Sequence, residues 1–429
     1  MKILVLGSGA REHALAWRLA RDGHVMLVAP GNPGAARVAT LVPLDPLDPA
    51  AVVSATRTHA VDLVVVGPEA PLVAGVVDAL VAAGIAVFGP TAAAARLEGS
   101  KAFAKEFMAR HGIATAPFAV CDDEAAAGRA IERFLAAGRV VLKADGLAAG
   151  KGVLVTGERA EARAFARDCL AQGRFGAAGA RLVVEAFLPG EEVSLFFLSD
   201  GVRVRRFVAA RDFKRLGDGD LGPNTGGMGA HAPADLDPAL AERIEQSVAL
   251  PTIAGMAREG APFRGLLYVG LMLGPDGPRV LEYNARFGDP ETQVLVPLVA
   301  GDLGALLAQC ANGSLTAPLA FHPGATVGVV LAAAGYPAAP RAGDVVHGLA
   351  SWPAPVEEDE AGVWCFHAGT RQRADGALVT AGGRVVTIVA RAADRATARA
   401  RAYAGVTRLS LDGGQVRHDV AREGTAWSS

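Results

Sequence analysis

Apolar and polar positions alternate in blocks through the first hundred residues. Short, almost wholly apolar runs predict buried strands, and the segments between them repeat apolar residues every three or four positions, which predicts helices. The predicted strands are 1–6, 24–31, 61–69 and 85–90, and the predicted helices are 12–23, 48–59 and 71–84. This alternation predicts a parallel sheet covered by helices, with any ligand at the carboxyl ends of its strands.

The pattern changes after a predicted helix at 91–117. Hairpin spacing then predicts an antiparallel α+β lobe that begins near Phe118. We place its strands at 139–146, 152–157, 181–190 and 191–201, and its helix at 159–172. A glycine-rich loop at 216–229, a helix at 235–258 and a strand pair follow, and short strands with frequent turns continue from about 322 to the end.

These changes of pattern predict three domains in an α/β protein. We expect an N-terminal parallel α/β domain at 1–100, a two-lobed α+β domain at 101–322 and a β-rich domain at 323–429.

Composition narrows the classes of function. The chain has 429 residues, of which 51% are apolar and 20% charged, as in globular proteins of several domains. A formal net charge of −2 argues against nucleic acid or an anionic membrane as a partner. No apolar run approaches the roughly 20 residues of a membrane span, no signal peptide is recognisable, and the four cysteines form no CxxC motif. We expect buried thiols and a cytoplasmic location.

The segment KADGLAAGKGV, at 143–153, is the first candidate site. Lys143 ends an apolar strand, and Lys151 lies among glycines that allow backbone N–H groups to approach an anion. Only six lysines occur in the chain, and five of them lie between 101 and 214. Residue 152 is glycine, so this is not a Walker A loop. A phosphate site is favoured over a plain surface hairpin.

Two strand segments carry further candidates. In VVEAFLPGEEVS (183–194), a strand leads into a connector that suits adenine, and Glu192 could bond ribose, although an ordinary acidic turn fits as well. In VLEYNARFGDPETQ (280–293), Glu282, Asn284 and Arg286 alternate, so they share one strand face. Carboxylate and amide oxygens suit Mg²⁺, and an arginine beside them suits a carboxylate or phosphoryl group. The alternative is the exposed face of an edge strand.

The segment at 211–233 combines Asp212, Lys214 and Arg215 with a glycine-rich run that contains Asn224 and Thr225. A long loop without secondary structure is either functional or disordered, and the flanking charges favour function.

The opening GSGAREHA resembles a dinucleotide fingerprint but lacks two of its features. The sixth position is Glu12 instead of glycine, and the second strand ends without an acidic residue. NAD is therefore not expected, although a helix that starts after glycines still suits an anion. We expect Gly9, Arg11 and Glu12 to face a shared cleft; otherwise the stretch is only a turn of the fold.

Together these segments resemble the glycinamide ribonucleotide synthetase family, which are ATP-grasp enzymes of purine biosynthesis. The matching motifs include GSGAREHALAW, VGPEAPLVAGVVD, LKADGLAAGKGV, GPNTGGMGA, NARFGDPETQ and FHAGT, and they run from end to end. The resemblance implies a Rossmann-like N-terminal domain, a central ATP-grasp domain and a β-rich C-terminal domain. It also implies that the lobe at about 118–193, within the ATP-grasp domain, is mobile. It implies that glycine is phosphorylated by ATP and that the amine of 5-phosphoribosylamine then attacks the glycyl phosphate.

The resemblance also implies roles for individual residues. The ATP contacts it implies are Lys105, Lys143, Gly150, Lys151, Gly152, Glu185, Leu188 and Glu192, and the metal ligands are Glu282 and Asn284. Catalytic roles fall on Lys143, Asp212, Lys214 and Arg286. Substrate contacts fall on Asn224, Asp289 and Thr292 and, for the phosphoribosyl group, on Gly9, Arg11, Glu12, Arg371 and Arg384. The expected cofactors are ATP and Mg²⁺, with Mn²⁺ as an alternative, in a monomer or weak homodimer.

Two positions depart from the family pattern. Ala186 stands where a second glutamate is frequent, and Gly270 stands near the place where many ATP-grasp enzymes have another acidic metal ligand. Water and phosphate oxygens would then complete the metal shell. The alternatives are another ATP-grasp carboxylate–amine ligase, a nicotinamide-dependent oxidoreductase and a non-catalytic nucleotide-binding module.

Overall fold

A computed structural model describes residues 1–148 and 152–422. Its N-terminal part is a five-stranded parallel sheet with strand order β3-β2-β1-β4-β5, which confirms the predicted parallel α/β architecture. The elements are β1 (Lys2–Gly7), α1 (Ala10–Arg21), β2 (Val25–Pro30), β3 (Thr40–Leu41), α2 (Pro49–Thr58), β4 (Leu63–Val66), α3 (Glu69–Val73), α4 (Val76–Ala82) and β5 (Val87–Phe88).

Two predicted helices are each divided in the structure. The predicted helix 71–84 is wrong as one element because Gly75, with φ of +82°, takes a left-handed conformation between α3 and α4. The segment 91–117 forms α5 (Ala92–Gly99) and α6 (Lys101–Arg110). Ser100 lies between them in extended backbone and its hydroxyl accepts from the Phe103 N–H, so it caps α6.

An antiparallel lobe follows, as predicted, with strand order β6-β9-β7-β8. Its elements are β6 (Phe118–Cys121), α7 (Glu124–Leu135), β7 (Val140–Ala144), β8 (Val153–Thr156), α8 (Arg159–Leu170) and β9 (Leu182–Ala186). The two helices pack on the sheet around a separate hydrophobic core that includes Ile131, Phe165 and Val184.

The next sheet has strand order β11-β10-β16-β17. The prediction that the strand at 191–201 belongs to the lobe is wrong, because β10 pairs along its whole length with β16. The elements between residues 191 and 284 are β10 (Glu191–Asp200), β11 (Val204–Arg206), β12 (Arg211–Asp212), β13 (Arg215–Gly217), β14 (Leu221–Asn224), β15 (Gly229–Ala232), α9 (Pro238–Ile244), α10 (Leu250–Arg258), β16 (Arg264–Gly274) and β17 (Gly277–Asn284).

The glycine-rich segment 216–229 is not a structureless loop. Strands β13 and β14 form a hairpin, and β15 enters the sheet of the C-terminal part. The predicted helix 235–258 is interrupted by a π-helical turn between α9 and α10.

The C-terminal part is built on a sheet with strand order β12-β15-β20-β24-β21, two of whose strands come from the preceding region. The remaining elements are α11 (Glu291–Leu295), β18 (Val299–Ala300), α12 (Leu303–Ala311), β19 (Ala320–Phe321), β20 (Ala325–Ala332), α13 (Pro355–Ala361), β21 (Val363–His367), β22 (Thr370–Gln372), β23 (Leu378–Thr380), β24 (Arg384–Ala392) and α14 (Arg395–Val406). Short strands were predicted here. Helix α14 was not, although Asp394 caps it by accepting from the Thr397 N–H.

Shared hydrophobic cores join the three parts. One core packs Leu4 and Val64 with Phe197 and Val269, and a second packs Trp17 with Phe366. All four cysteines are buried, as expected. Across the described ranges, no helix has both the length and the apolar composition that crossing a membrane requires.

Candidate active site

A cavity of about 660 Å³ lies where the three parts of the chain meet. It opens at the carboxyl ends of β1 and β4, where ligands of parallel sheets bind. The residues that line it and carry the argument below are Gly9, Arg11, Glu69, Glu98, Lys101, Lys105, Lys143, Gly152, Glu185, Glu282, Asn284, Arg286, Asp289 and Arg384.

Two lysines and one glutamate form the buried charged cluster of this cavity. Lys105 on α6 lies with its Nζ 2.8 Å from Oε2 of Glu185, and Lys143 on β7 lies with its Nζ 3.0 Å from Oε1. Lys105 also donates to the Thr115 hydroxyl, and Lys143 donates to the Leu281 carbonyl. Burial lowers the pKa of Lys105 to about 8, against the opposing effect of Glu185. Two cations converge here on space that can hold an anion.

The predicted metal pair and its neighbouring arginine also face the cavity. Glu282 and Asn284 lie on β17, but Arg286 lies two residues after the strand ends, so the three do not share one strand face as predicted. All three nevertheless line the cavity. Gly270 pairs opposite Glu282 and leaves room beside its side chain. Burial would raise the pKa of Glu282, but Lys214 and Lys143 outweigh it and hold the pKa low.

An ionised carboxylate beside an amide oxygen fits a hard divalent cation. The Asn284 Oδ1 accepts from Arg286 at 3.3 Å, so this oxygen already lies inside the polar cluster. Two protein oxygens are enough for Mg²⁺, which keeps several waters and takes phosphate oxygens.

Arg286 has two acidic partners that the sequence did not reveal. Its Nη2 lies 2.9 Å from Oε1 of Glu98, and its Nε donates to Glu69 at 3.2 Å. Both glutamates line the cavity, as does Lys101. A signal existed for two of the three: Glu69 ends VGPE at the carboxyl end of a strand, and Lys101 belongs to the run of lysines between 101 and 214.

A second polar cluster surrounds Lys214. Its Nζ donates to the Glu192 carboxylate and lies 4.0 Å from Oδ2 of Asp212. Burial raises the pKa of Asp212 to about 7, against the opposing effect of Lys214. Beside them, the Tyr268 hydroxyl donates to Oε1 of the buried Glu291. The cluster therefore consists of three coupled charges, those of Asp212, Lys214 and Glu192. The charge of Glu282 also acts on Lys214, although more weakly.

The opening stretch divides into cavity residues and a support. Gly9 and Arg11 line the cavity, whereas the Glu12 carboxylate turns back and accepts from the Gly9 N–H at 2.7 Å and from Arg11 Nε at 2.6 Å. A Cβ atom at Gly67 would lie 2.1 Å from Glu12 Oε1, so the Glu12 carboxylate fills the space between two glycine turns. Glu12 shapes the turn, and Arg11 presents the charge.

Asp289 and Arg384 form an ion pair of 2.9 Å in the cavity wall. Arg384 also donates to the carbonyls of Asp289 and Gly226, at 2.8 and 2.5 Å. This arginine ties the C-terminal part to the end of the β13–β14 hairpin segment.

Several predicted site residues do not line the cavity. Glu12, Glu192, Asp212 and Lys214 are absent from its lining: Glu12 bonds the lining residues Gly9 and Arg11, and the other three form the second polar cluster. Arg371 is exposed on β22, Asn224 is exposed at the end of β14, and Leu188 is half-buried after β9. Thr292 is fully buried, and its hydroxyl donates to the Gly288 carbonyl at 2.6 Å. Gly150 and Lys151 lie outside the described residues.

These features define an ATP-grasp ligase: a parallel α/β domain, an antiparallel lobe and a second antiparallel sheet, with lysines, a carboxylate–amide pair and an arginine around one cavity. The chain matches the N domain of phosphoribosylglycinamide synthetase over residues 1–98, the ATP-grasp (A) domain over 99–292 and the C domain over 326–423. The chain belongs to the phosphoribosylglycinamide synthetase family.

Curated relatives and solved structures agree with this assignment. The chain is 50% identical to the phosphoribosylamine–glycine ligase of Streptomyces coelicolor and 48% identical to that of Phenylobacterium zucineum, with at least 98% of each chain covered. The structure of phosphoribosylamine–glycine ligase from Thermotoga maritima superposes with a TM-score of 0.85 at 35% identity, covering 98% of this chain and 100% of that one. A biotin carboxylase domain from Hydrogenobacter thermophilus, solved with MgADP, shares only the fold: its TM-score is 0.72 at 16% identity, over 97% of this chain and 91% of that one.

Proposed function

We propose that the cavity binds ATP, a divalent cation, glycine and 5-phosphoribosylamine together, and that it joins the last two as glycinamide ribonucleotide. Family membership makes the chain an ATP-dependent ligase of purine biosynthesis. The proposal rests on five side chains that line one cavity: Lys105, Lys143, Glu282, Asn284 and Arg286. Together they supply polar and charged groups for both the nucleotide phosphates and the reacting carboxylate.

The nucleotide lies on the side of β7 and β9. Lys105 and Lys143 exchange part of their contact with Glu185 for phosphate oxygens, and Gly152 allows close backbone approach. The segment from Glu185 to Leu188, which comprises the last residues of β9 and the start of the connector after it, holds adenine through backbone groups, and Glu192 bonds the ribose.

Glu282 and Asn284 are the protein ligands of Mg²⁺, and Mn²⁺ suits the same hard oxygens. When bound, the cation would neutralise part of the negative charge of the phosphates. Around it, Arg286 holds the glycine carboxylate in line with the terminal phosphate, and Asp212 with Lys214 orients the glycine amino end. Their contribution is positioning and charge, since no protein nucleophile is required.

The chemistry takes two steps. A glycine carboxylate oxygen bonds the terminal phosphorus and ADP leaves. The amine nitrogen of phosphoribosylamine then bonds the carbonyl carbon of glycyl phosphate, the carbon–oxygen bond to phosphate breaks, and the amine loses a proton. Both steps gather anionic groups, which explains the concentration of cationic side chains.

The phosphoribosyl group lies between the N-terminal and C-terminal walls. Arg11 and Arg384 offer N–H donors there, Gly9 allows close approach to the backbone, and Asp289 offers a carboxylate to hydroxyl groups. Glu12 and Thr292 act from behind the wall. Arg371 and Asn224 reach substrate only if their exposed segments fold over the cavity. We also propose a cytoplasmic enzyme that acts as a monomer or weak homodimer.

A steady-state assay of ADP release tests the proposal. ADP should form with glycine and phosphoribosylamine together, and should fall to background when either is omitted or when alanine replaces glycine. Equal turnover with other amino acids and the same amine would replace the proposal with a broader ATP-grasp carboxylate–amine ligase.

A further inference from the structure

A short C-terminal segment, 417–419, grips the β13–β14 hairpin about 200 residues away in the sequence. Arg417, which is 1% exposed, donates from Nη1 to Oδ1 of Asp220 at 2.7 Å and to the Arg215 carbonyl at 3.2 Å. Its Nε and Nη2 form two bonds of 2.7 Å with the carboxylate of Asp419. Asp419 in turn accepts from the Gly219 N–H at 2.8 Å.

Besides the contacts of 417–419, which include a bond from the His418 N–H to Asp218, the hairpin is held by a bond from Arg215 to the Gly222 carbonyl and by packing of Leu216 on a small apolar cluster. All four residues of β14 are exposed, and an isolated two-stranded hairpin is marginally stable at best. Its tip places Gly219 and Asp220 in left-handed conformations, with φ of +65° and +56°. Aspartate and asparagine adopt positive φ more readily than most other residues. The Asp220 carboxylate also accepts a hydrogen bond from Arg417. The clamp therefore supplies order that the hairpin sequence does not.

The clamp also contacts the residue that lies between two members of the second polar cluster in the chain. The guanidinium of Arg417 lies 5.0 Å from the ring centroid of Phe213, which is buried between Asp212 and Lys214 in the chain. At the other end of the hairpin, Thr225 donates to the Lys214 carbonyl from both its N–H and its hydroxyl. Movement of the hairpin would thus carry the backbone of Lys214 with it.

We propose that Arg417 is a positioning residue: by clamping the β13–β14 hairpin and the Phe213 ring, it sets the position of Asp212 and Lys214 toward glycine. The inference rests on the proposed function for the role of glycine, and on the structure alone for the clamp. A cluster that orients a substrate must be held within a fraction of an ångström.

Two variants separate the clamp from general folding. Arg417→Met removes all the bonds that the Arg417 side chain makes, including those to Asp220 and to the Arg215 carbonyl, and leaves the bond between Gly219 and Asp419. Asp220→Asn weakens only the bond between Arg417 and Asp220. Asp200→Asn is the matched control: Asp200 is also a buried carboxylate that accepts from backbone N–H groups, those of Val202, Arg203 and Leu315, outside the cavity.

Hydrogen exchange followed by mass spectrometry and steady-state kinetics give independent readouts. We expect faster exchange across 213–225 in both clamp variants, a KM for glycine raised by about tenfold or more, and a KM for ATP changed by less than about twofold. Arg417→Lys, which keeps the charge but not the two-pronged geometry, should fall between wild type and Arg417→Met. Asp200→Asn should lower the melting temperature without changing the KM for glycine.

The inference is overturned if both clamp variants leave exchange at 213–225 unchanged, or if the KM values for glycine and ATP rise equally. Should Arg417→Met fail to fold, Asp220→Asn alone decides. If wild type shows faster ADP release with another amino acid, the proposed function fails while the exchange result still tests the clamp.

Discussion

The Nζ of Lys105 lies 2.8 Å from Oε2 of Glu185, and both side chains are only 2% exposed. Glu185 shares its other oxygen with Lys143, so one carboxylate opposes two cations at the predicted phosphate site. Breaking a buried ion pair on one side leaves an uncompensated charge, which is strongly destabilising. We propose that the same lysines turn to the phosphates when ATP binds, and that Glu185 is a counter-ion that ATP partly replaces.

Glu185→Gln is expected to lower the free energy of unfolding by roughly 3 kcal/mol in the absence of nucleotide, because Lys105 and Lys143 then lose the carboxylate that they share. ATP should restore part of this loss, so its thermal shift should be larger in the variant than in wild type. Thermal unfolding with and without MgATP measures both effects. Glu161→Gln, on α8 of the same lobe and outside the cavity lining, serves as the control. Unchanged unfolding of Glu185→Gln would contradict the counter-ion role.

The buried environment of Lys105 predicts a pH dependence. Its pKa is lowered to about 8 by burial, whereas an unfolded lysine has a pKa near 10.4. Between these values the unfolded chain binds more protons, so the contribution of Lys105 to stability rises with pH in that window. Activity should move the opposite way, because neutral Lys105 binds phosphate weakly. We expect kcat/KM for ATP to fall above about pH 8, and Lys105→Arg to lose this limb of the profile since arginine stays charged. A limb that persists in the arginine variant would assign it to another group.

Sequence periodicity predicted the fold where buried faces impose it. Strands β1 and β4 are almost wholly buried, and their apolar runs are typical of a covered parallel sheet. The pattern missed the breaks at Gly75 and Ser100, because a glycine or serine inside a helical period does not by itself reveal a change of direction. It missed the β13–β14 hairpin for another reason: the hairpin is held by Arg417, a contact that no local pattern contains.

In the active site, too, the sequence predicted residues that lie close together in the chain and missed contacts between distant ones. Glu282 and Asn284 were predicted because they stand two residues apart on a strand, and both line the cavity. Glu69 pairs with Arg286 across 217 residues, so its partner could not be inferred from spacing. Glu12 was predicted to face the cleft, yet it supports Gly9 from behind, since a short helix start offers room for either orientation.

The predicted metal pair can be tested by cation titration. Glu282→Gln keeps the shape of the side chain but removes its charge, so the Mg²⁺ concentration for half-maximal rate should rise by about tenfold or more. The melting temperature should change less than for Glu185→Gln, because Lys143 and Lys214, whose charges act on Glu282, keep their ion pairs with Glu185 and Glu192. An unchanged Mg²⁺ dependence would remove Glu282 from the metal site.

Arg384 is expected to bind the phosphate of phosphoribosylamine, because it lines the cavity beside Asp289 and Gly9 and is the predicted phosphate arginine that the structure brings there. A charge-assisted hydrogen bond is worth about 1.5–3 kcal/mol, so Arg384→Met should raise the KM for phosphoribosylamine by roughly 10- to 100-fold. The KM for ATP should change far less, since we propose that Lys105 and Lys143, on another wall of the cavity, hold the ATP phosphates. Arg373→Met, an exposed arginine paired with Asp375, is the control and should leave all three KM values unchanged. Equal increases in the KM for ATP and for phosphoribosylamine would show that Arg384 acts through the structure of the cavity wall, by releasing Asp289 and Gly226, and not through contact with the phosphate.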